Sequence, residues 1–174
     1  SEVTRINDLI TEFLDFAKPS APIRSTQRAR PLLDDLLGFC APELSTHNIE
    51  AVIVEHDANA MIYADARQLT QACLNLVLNA IDAMPSGGRL TIGIAIVEDT
   101  TVISISDTGH GIEPDMIERI FSPFVTTKAS GTGLGLAKVF SIMENHDGRV
   151  ECVSQVGVGA TFNLYIPAYD GEWS

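Results

Sequence analysis

Residues 65–84 read DARQLTQACLNLVLNAIDAM and form the most informative segment of the chain. An α-helix turns by about 100° per residue, which places five polar side chains in one stripe about 80° wide. These side chains are Gln68, Gln71, Asn75, Asn79 and Asp82. The other sides of the helix are apolar, which predicts that it is buried. Two interpretations of the stripe are open: it faces a polar ligand, or its groups bond to neighbouring backbone.

Composition limits the class of the protein and of its partners. The 174 residues suit one domain, or one domain with a short appendage, and 45% are hydrophobic, which is enough for a core. Eleven Lys and Arg against 23 Asp and Glu give a net charge of −12. This charge argues against a nucleic-acid or anionic-membrane surface, since both need clustered basic residues. The chain lacks an initiator Met and is expected to be a fragment of a longer protein.

Periodicity predicts the remaining elements. Helices are expected at 1–17, 31–46 and 134–145, and strands at 24–30, 49–55, 60–63, 89–97, 101–106, 148–154 and 160–166. The first helix has the apolar spacing of a coiled coil or helix bundle. Residues 113–133 have no clean period, which predicts a long mobile segment of the kind that often carries function. The order predicts an α+β fold with a mixed, mostly antiparallel sheet and helices on one face.

A carboxylate ends one of these predicted strands. Asp107 follows the apolar run at 101–106 and precedes Gly109 and Gly111, and glycines let a ligand approach the backbone closely. A carboxylate in this place can accept a hydrogen bond from an exocyclic amine. A simple Asp-Thr-Gly turn would have the same sequence, so both interpretations stay open.

A glycine-rich segment opens the predicted helix at 134–145. Residues 131–136 read GTGLGL, and backbone N–H groups at such a helix start can bind phosphate, with a flexible hinge as the alternative. The spacing is neither a dinucleotide fingerprint nor a Walker A loop. Lys128 precedes the segment and can meet a phosphate as a point charge. Mg²⁺ prefers oxygen ligands of the kind supplied by Asn75, Asn79 and Asp82.

Together these segments resemble the histidine-kinase ATP-binding (HATPase) domain of the superfamily that includes gyrase B, MutL and the heat-shock chaperone ATPases. NLVLNAIDAM at 75–84 matches the N box, DTGHGI at 107–112 the first glycine box and RIFSPFVTTK at 119–128 the F box. GTGLGLA at 131–137 matches the second glycine box, and GVGATF at 157–162 is similar to the last strand motif. The resemblance implies a two-layer α/β sandwich of the Bergerat type, with an additional N-terminal helix, that binds ATP and Mg²⁺.

On the adenine side, the resemblance implies that Asp107 accepts a hydrogen bond from the adenine 6-amino group. Gly111 is expected to pack against the base, and Thr161 to reach it through a water molecule. Gly109 and Ile112 belong to the same candidate nucleotide-binding set.

On the phosphate side, the resemblance implies that Asn79 holds Mg²⁺ and that Asn75 lines the pocket, both in catalytic roles together with Lys128. The remaining candidate nucleotide-binding residues are Asp82, Thr127, Gly131, Thr132, Gly133, Leu134, Gly135 and Leu136. In gyrase-type relatives a glutamate one turn before the Mg²⁺ asparagine is the hydrolytic base. Asn75 stands there and cannot take a proton from water, so the resemblance favours phosphoryl transfer to a protein over ATP hydrolysis.

The resemblance also divides the chain. Residues 1–18 correspond to the end of the second helix of a dimerisation bundle, 19–24 to a linker, 25–168 to the catalytic domain and 169–174 to a tail. The implied activity is transfer of the ATP γ-phosphoryl group to a histidine of that bundle. None of the four histidines here has the H-E-x-[RK] context of the acceptor. The acceptor is therefore expected outside this chain.

The implied partners are the dimerisation and phosphoacceptor domain of the same kinase, a homodimer at full length, and a response-regulator receiver domain. No nucleic acid and no membrane contact by this fragment are expected, and the location is expected to be cytoplasmic. Two alternatives remain: a serine kinase of the same superfamily that acts on an anti-sigma partner, and a nucleotide-binding regulatory module without transfer activity. The bundle-like helix at 1–17 speaks against the first, and the intact boxes speak against the second.

Overall fold

The computed structural model describes residues 2–17 and 20–168, in which seven strands and five helices follow one another along the chain. They are α1 (Glu2–Ala17), β1 (Ser25–Arg28), α2 (Ala29–Thr46), β2 (Ile49–Glu55), β3 (Met61–Ala64), α3 (Ala66–Ala83), β4 (Gly88–Val97), β5 (Thr100–Asp107), α4 (Pro114–Ile117), α5 (Gly135–Asn145), β6 (Arg149–Gln155) and β7 (Gly159–Pro167). Lys18 and Pro19 of the predicted linker and the predicted tail at 169–174 lie outside the described residues.

Five of the strands form one sheet in the order β2-β4-β5-β7-β6. The β2–β4 pair is parallel, and the other three pairs are antiparallel. β1 and β3 pair separately as a two-stranded antiparallel ribbon. The predicted α+β fold with a mixed, mostly antiparallel sheet is therefore confirmed. The parallel pair exists because the chain passes through α3 between β2 and β4, and parallel strands need such a crossover.

The core lies between the sheet and the helices α2, α3 and α5. Alternate residues of the central strands face it, among them Ile92 and Ile94 of β4, Ile103 and Ile105 of β5 and Leu164 of β7, all of them at most 1% exposed. On the opposite face of the sheet the same strands carry partly exposed residues. This period of two is that of a sheet covered on one side only.

The segment between β5 and α5 is mostly irregular, as predicted, but it contains one short helix, α4. Within 113–133 the single turn of α4 begins with Pro114, whose fixed φ suits the first helical position. The turn before β5 is a two-residue hairpin turn. Val97 pairs with Thr100, so Glu98 and Asp99 alone make the turn, and Glu98 has a φ of 55°.

A buried junction joins the start of α3 to the end of α5. Asp65 caps α3 by accepting hydrogen bonds from the N–H groups of Arg67 and Gln68 at 3.0 and 3.1 Å, and it also accepts one from Ile23 N–H at 2.9 Å. The Asp65 N–H in turn donates to Nε2 of His146 at 3.0 Å. This junction ties the segment after α1 to both helices.

Among the described helices, none is long and apolar enough to cross a membrane.

We predict that acid weakens this junction. His146 is 2% exposed, and its Nε2 accepts a hydrogen bond from Asp65 N–H, so a proton on Nε2 would face a donor. Burial lowers the pKa of His146, the charge of Arg24 acts in the same direction, and the Ile142 carbonyl and the Asp65 and Asp147 carboxylates oppose them. Because the folded pKa lies below the unfolded one, this stabilisation is complete above the unfolded pKa and is lost as the pH falls through the folded pKa. Urea denaturation at pH 7.5 and 5.5 should show the loss.

A matched pair of variants isolates this effect. His146→Gln should flatten the dependence of the free energy of unfolding on pH between 7.5 and 5.5, because glutamine does not titrate there. His56 is exposed, so His56→Gln should keep the wild-type dependence. Equal pH dependence in the wild type and His146→Gln would contradict the prediction.

Candidate functional site

The end of β5, the polar stripe of α3 and the loop that leads into α5 meet on one side of the domain. The N–H of His110, just after β5, donates to the carbonyl of Ala83 at the end of α3 at 3.1 Å. Lys128 of the loop and Gly135 of α5 both bond to the stripe. The segments singled out in the sequence are therefore brought together by direct contacts.

Asp107 lies at the end of β5 and is 8% exposed. Its Oδ1 accepts hydrogen bonds from Gly109 N–H at 2.8 Å and Ala160 N–H at 3.3 Å. Burial raises the pKa of Asp107, while these two N–H groups and the charge of His110 act in the opposite direction. Within the described residues both hydrogen bonds go to Oδ1. Oδ2 is thus left as an acceptor for a ligand.

The loop after Asp107 is held close to the β6–β7 turn. Gly111 has a φ of 74°, and a Cβ there would lie 2.3 Å from the carbonyl oxygen of Gln155, so a side chain is excluded. Ile112 N–H donates to Ser154 Oγ at 2.8 Å, and the Ile112 side chain packs against the core. These contacts fix the glycine loop against the sheet end beside Asp107.

Asn79 and Asp82 hold a cation in this structure, which is the ammonium group of Lys128. The Lys128 Nζ donates to Asn79 Oδ1 at 3.0 Å and to Asp82 Oδ2 at 2.5 Å. All three groups are accessible to solvent, so the ion pair is open to exchange with another cation. Two oxygens that converge on one positive centre fit the few protein ligands that Mg²⁺ needs.

Asn75 has different partners from Asn79. Its Nδ2 donates to the carbonyl oxygen of Gly135 at 3.1 Å, and its Oδ1 accepts a hydrogen bond from Gln71 Nε2 at 2.9 Å. The remaining amide of the stripe, Gln68, donates to the carbonyl of Ser20 at 2.8 Å. The stripe therefore combines both interpretations left open by the sequence: some groups bond to neighbouring backbone, and others face an open site.

The loop before α5, here called the lid (residues 122–134), is folded against α1. The rings of Phe13 and Phe124 stack with their centroids 6.2 Å apart, and Thr132 Oγ1 donates to Glu12 Oε1 at 3.1 Å. Phe124 N–H donates to the carbonyl of Gly133 at 2.9 Å, which closes the lid on itself. Gly131 and Thr127 are exposed, so both can meet a ligand from the solvent side.

A cleft of about 350 Å³ separates α1 from α3 and α5. Its walls carry acidic side chains on α1, basic and amide side chains on α3 and α5, and a few apolar ones. They include Glu12, Asp15, Gln71, Asn75, Leu134 and Lys138. Asn75 and Leu134 connect this cleft to the start of α5, so it borders the candidate phosphate side.

Two further predicted site residues, Thr161 and Leu136, have packing partners within the domain. Thr161 pairs with Ser106, and its Oγ1 lies 2.7 Å from Ser106 Oγ, on the sheet face opposite the buried Asp107. The Thr161 side chain points to the face away from Asp107, since successive side chains of a strand alternate between faces. The neighbouring Ala160 donates its N–H to the Asp107 carboxylate. The water bridge from Thr161 stays a prediction. The Leu136 side chain packs against the core, so only its backbone is free to contribute to the candidate nucleotide-binding set.

The sequence interpretation missed two contributors to the site. Ala160 was not a candidate because its contact with Asp107 uses the backbone, which leaves no trace in the residue type. Gln71 was noticed in the stripe but was given no role, although its spacing of four residues from Asn75 predicts side-chain contact on a helix.

Comparison with known proteins agrees with the motifs. Residues 64–170, more than half of the chain, match the family described as "Histidine kinase-, DNA gyrase B-, and HSP90-like ATPase". The sensor histidine kinase ZraS of Escherichia coli (strain K12) is 36% identical over 166 residues, which are 95% of this chain and 36% of that protein. The chain therefore spans about a third of the length of the curated relatives it matches.

Two solved structures have the same fold. Full-length ShkA in complex with AMPPNP superposes with a TM-score of 0.84 at 28% identity, over 92% of this chain and 35% of that one. The nucleotide-free catalytic domain of histidine kinase ThkA superposes with a TM-score of 0.77 at 28% identity, over 83% of this chain and 95% of that one. The resemblance stated from the motifs is thus confirmed: this chain belongs to the histidine kinase-, DNA gyrase B- and HSP90-like ATPase family.

Proposed function

We propose that this chain is the ATP-binding catalytic domain of a sensor histidine kinase, which transfers the γ-phosphoryl group of ATP to a histidine of its dimerisation bundle. The observation that carries the proposal is the buried Asp107 carboxylate at a strand end, with Oδ1 held by two backbone N–H groups and Oδ2 left to accept. The relationship to ZraS, a sensor histidine kinase, supports the kinase branch of the family.

Asp107 would select adenine by hydrogen bonding. Adenine presents an amino group at position 6, which donates, whereas guanine presents a carbonyl oxygen there, which would face the carboxylate as a second acceptor. The Gly109–Ile112 loop, fixed against the β6–β7 turn, would form the wall of the base pocket. ATP is therefore expected to bind in preference to GTP.

The start of α5 and the lid would bind the phosphates. Leu134 occupies the N-cap position of α5 without a side-chain cap, so the first N–H groups of the helix can donate to an anion. Gly131, Thr132, Gly133 and Gly135 allow close approach of the backbone, and Lys128 adds a positive charge. Leu134 and Leu136 belong to this segment through their backbone, since the Leu134 side chain is buried and Leu136 packs on the core.

Asn79 would hold Mg²⁺, with Asp82 beside it, because their oxygens already converge on the ammonium group of Lys128. When bound, Mg²⁺ neutralises charge on the transferring phosphoryl group. Lys128 would then be free to serve the phosphates. The site needs few protein oxygens, in agreement with the absence, among described residues, of any cluster of three or more His, Cys, Asp or Glu side chains suited to a metal.

Transfer would rest on positioning and charge neutralisation and not on a base beside the phosphates. Asn75 donates to the Gly135 carbonyl and accepts from Gln71, and an amide cannot take a proton from water. Water would therefore stay a poor nucleophile. A histidine of the bundle, outside this chain, would receive the phosphoryl group and pass it to a response-regulator receiver domain.

α1 would be the end of the bundle's second helix. Val3, Ile6 and Ile10 are 68%, 54% and 51% exposed, and such an apolar row on a helix is normally covered by another helix. The division into bundle end, linker, catalytic domain and tail and the homodimer are part of this proposal. So is a cytoplasmic location, which the proposed supply of ATP and a receiver domain would require.

We predict that Asp107→Asn weakens ATP binding by about ten- to a hundredfold, since a hydrogen bond to a charged group contributes about 1.5–3 kcal/mol. The variant should fold, because the asparagine oxygen can still accept from Gly109 and Ala160. Its amino group would then face the adenine amino group. Calorimetric titration with ATP measures the effect, and Asp115→Asn, an exposed aspartate of α4, is the control. Wild-type affinity in Asp107→Asn would refute the adenine assignment.

We also predict that Asn79→Ala removes the dependence of ATP binding on Mg²⁺. In the wild type, Mg²⁺ should raise ATP affinity, and loss of an oxygen ligand should cut that gain by about tenfold or more. Affinity without Mg²⁺ should change little. Titrations with and without Mg²⁺ give both values, and Asn163→Ala, on the strand β7, should behave as the wild type. An unchanged Mg²⁺ effect in Asn79→Ala would place the metal elsewhere.

A further inference from the structure

We propose that Gln71 is a positioning residue that fixes the amide of Asn75 with its N–H₂ end toward the start of α5. This inference rests on the proposed function, in which Asn75 lines the phosphate side of the pocket. Gln71 and Asn75 lie four residues apart on α3, so their side chains meet on one face of the helix. Gln71 Nε2 donates to Asn75 Oδ1 at 2.9 Å.

The second bond of Asn75 selects the same orientation. Asn75 Nδ2 donates to the Gly135 carbonyl oxygen at 3.1 Å. An amide has a donating end and an accepting end. If the Asn75 amide turned over, its amino group would face the Gln71 amino group and its oxygen would face the Gly135 carbonyl. The Gly135 carbonyl can only accept, so it fixes the direction of the chain from Gln71 through Asn75 to Gly135. Gln71 holds that direction by donating to the Asn75 oxygen.

This direction assigns different roles to the two asparagines of the N box. The oxygen of Asn75 is occupied by a neutral donor, and its N–H groups are directed to the side of Gly135 and the lid. The oxygen of Asn79 instead faces the ammonium group of Lys128. Asn75 is thus set as a donor, which suits phosphate oxygens, and Asn79 as an acceptor, which suits a cation. The Gly135 carbonyl and Gln71 together make this difference, and Gln71 is the side chain of the pair that a substitution can remove.

Gln68 offers a matched control on the same stripe. It is also a glutamine on α3, but its side-chain amide donates to the Ser20 carbonyl at 2.8 Å and not to Asn75. A change at Gln68 therefore alters the helix surface in a similar way without touching the bond to Asn75. Gln71→Leu removes the hydrogen-bond donor and keeps a side chain of similar size. Gln71→Lys keeps a side chain that can donate a hydrogen bond over a similar distance.

The test compares affinity for ATP, by calorimetry, with affinity for adenosine, by NMR shift titration of the same chain. Gln71→Leu should weaken ATP binding by about three- to tenfold, the effect of one hydrogen bond, and leave adenosine binding unchanged. Gln68→Leu should keep wild-type affinity for both ligands. Gln71→Lys should keep adenosine affinity and show no loss of ATP affinity, since its ammonium group still donates and adds a positive charge on the phosphate side. Wild-type ATP affinity in Gln71→Leu would overturn the inference. An equal loss of affinity for ATP and for adenosine would also overturn it, because it would indicate a general structural role. So would a loss of ATP affinity in Gln71→Lys as large as in Gln71→Leu, because Gln71→Lys keeps a hydrogen-bond donor.

A second readout separates this inference from the proposed function. In the free protein, one Asn75 side-chain amide proton is bonded to Gly135, so its NMR signal should exchange slowly with water. Gln71→Leu should speed that exchange, and Gln68→Leu should not. If the wild type binds no ATP, the proposed function fails, and the exchange rate alone decides: faster exchange in Gln71→Leu supports the positioning role, and unchanged exchange overturns it.

Discussion

The structure depends on burying the apolar sides of α3 while giving its polar stripe partners. Leu69, Leu76 and Val77 are at most 1% exposed, and burial of such side chains stabilises the fold by about 1.5–3 kcal/mol each. An amide left without a partner costs about 1–3 kcal/mol, so an unsatisfied stripe would cancel much of that gain. Its partners come from the linker, the lid and the start of α5. The stripe therefore determines where those three segments lie.

A second constraint acts at the end of the sheet, where the backbone of β7 passes Asp107. A Cβ at Gly159, whose φ is 138°, would lie 2.0 Å from the Asp107 carbonyl oxygen, so any side chain would push the two strands apart. This close approach brings Ala160 N–H to the Asp107 carboxylate. The helix thus arranges the phosphate side of the proposed pocket, and the sheet end arranges the adenine side. Each side follows from packing that the fold needs in any case.

Local patterns were enough to predict every described helix and strand except the single turn of α4, because apolar periodicity acts within a few residues. α3 begins one residue after the predicted start, since Asp65 serves as its cap. The contacts that complete the site join residues far apart in sequence, such as Lys128 with Asp82, and no local pattern encodes them. Thr161 shows the same limit. Which of two adjacent residues meets Asp107 depends on the strand register, and a shift of one residue reverses the face.

The partners of the stripe also bear on the choice between hydrolysis and transfer. A base that activates water must accept a proton. Within the described part of the chain, Asn75 is hydrogen-bonded to the Gln71 amide and the Gly135 carbonyl, neither of which accepts a proton at neutral pH. The carboxylate of the stripe, Asp82, forms an exposed ion pair with Lys128. The stripe therefore offers donors and a cation site and no proton acceptor at Asn75. Under the proposed function, that chemistry would hold phosphates in place and leave the choice of nucleophile to a group outside the stripe.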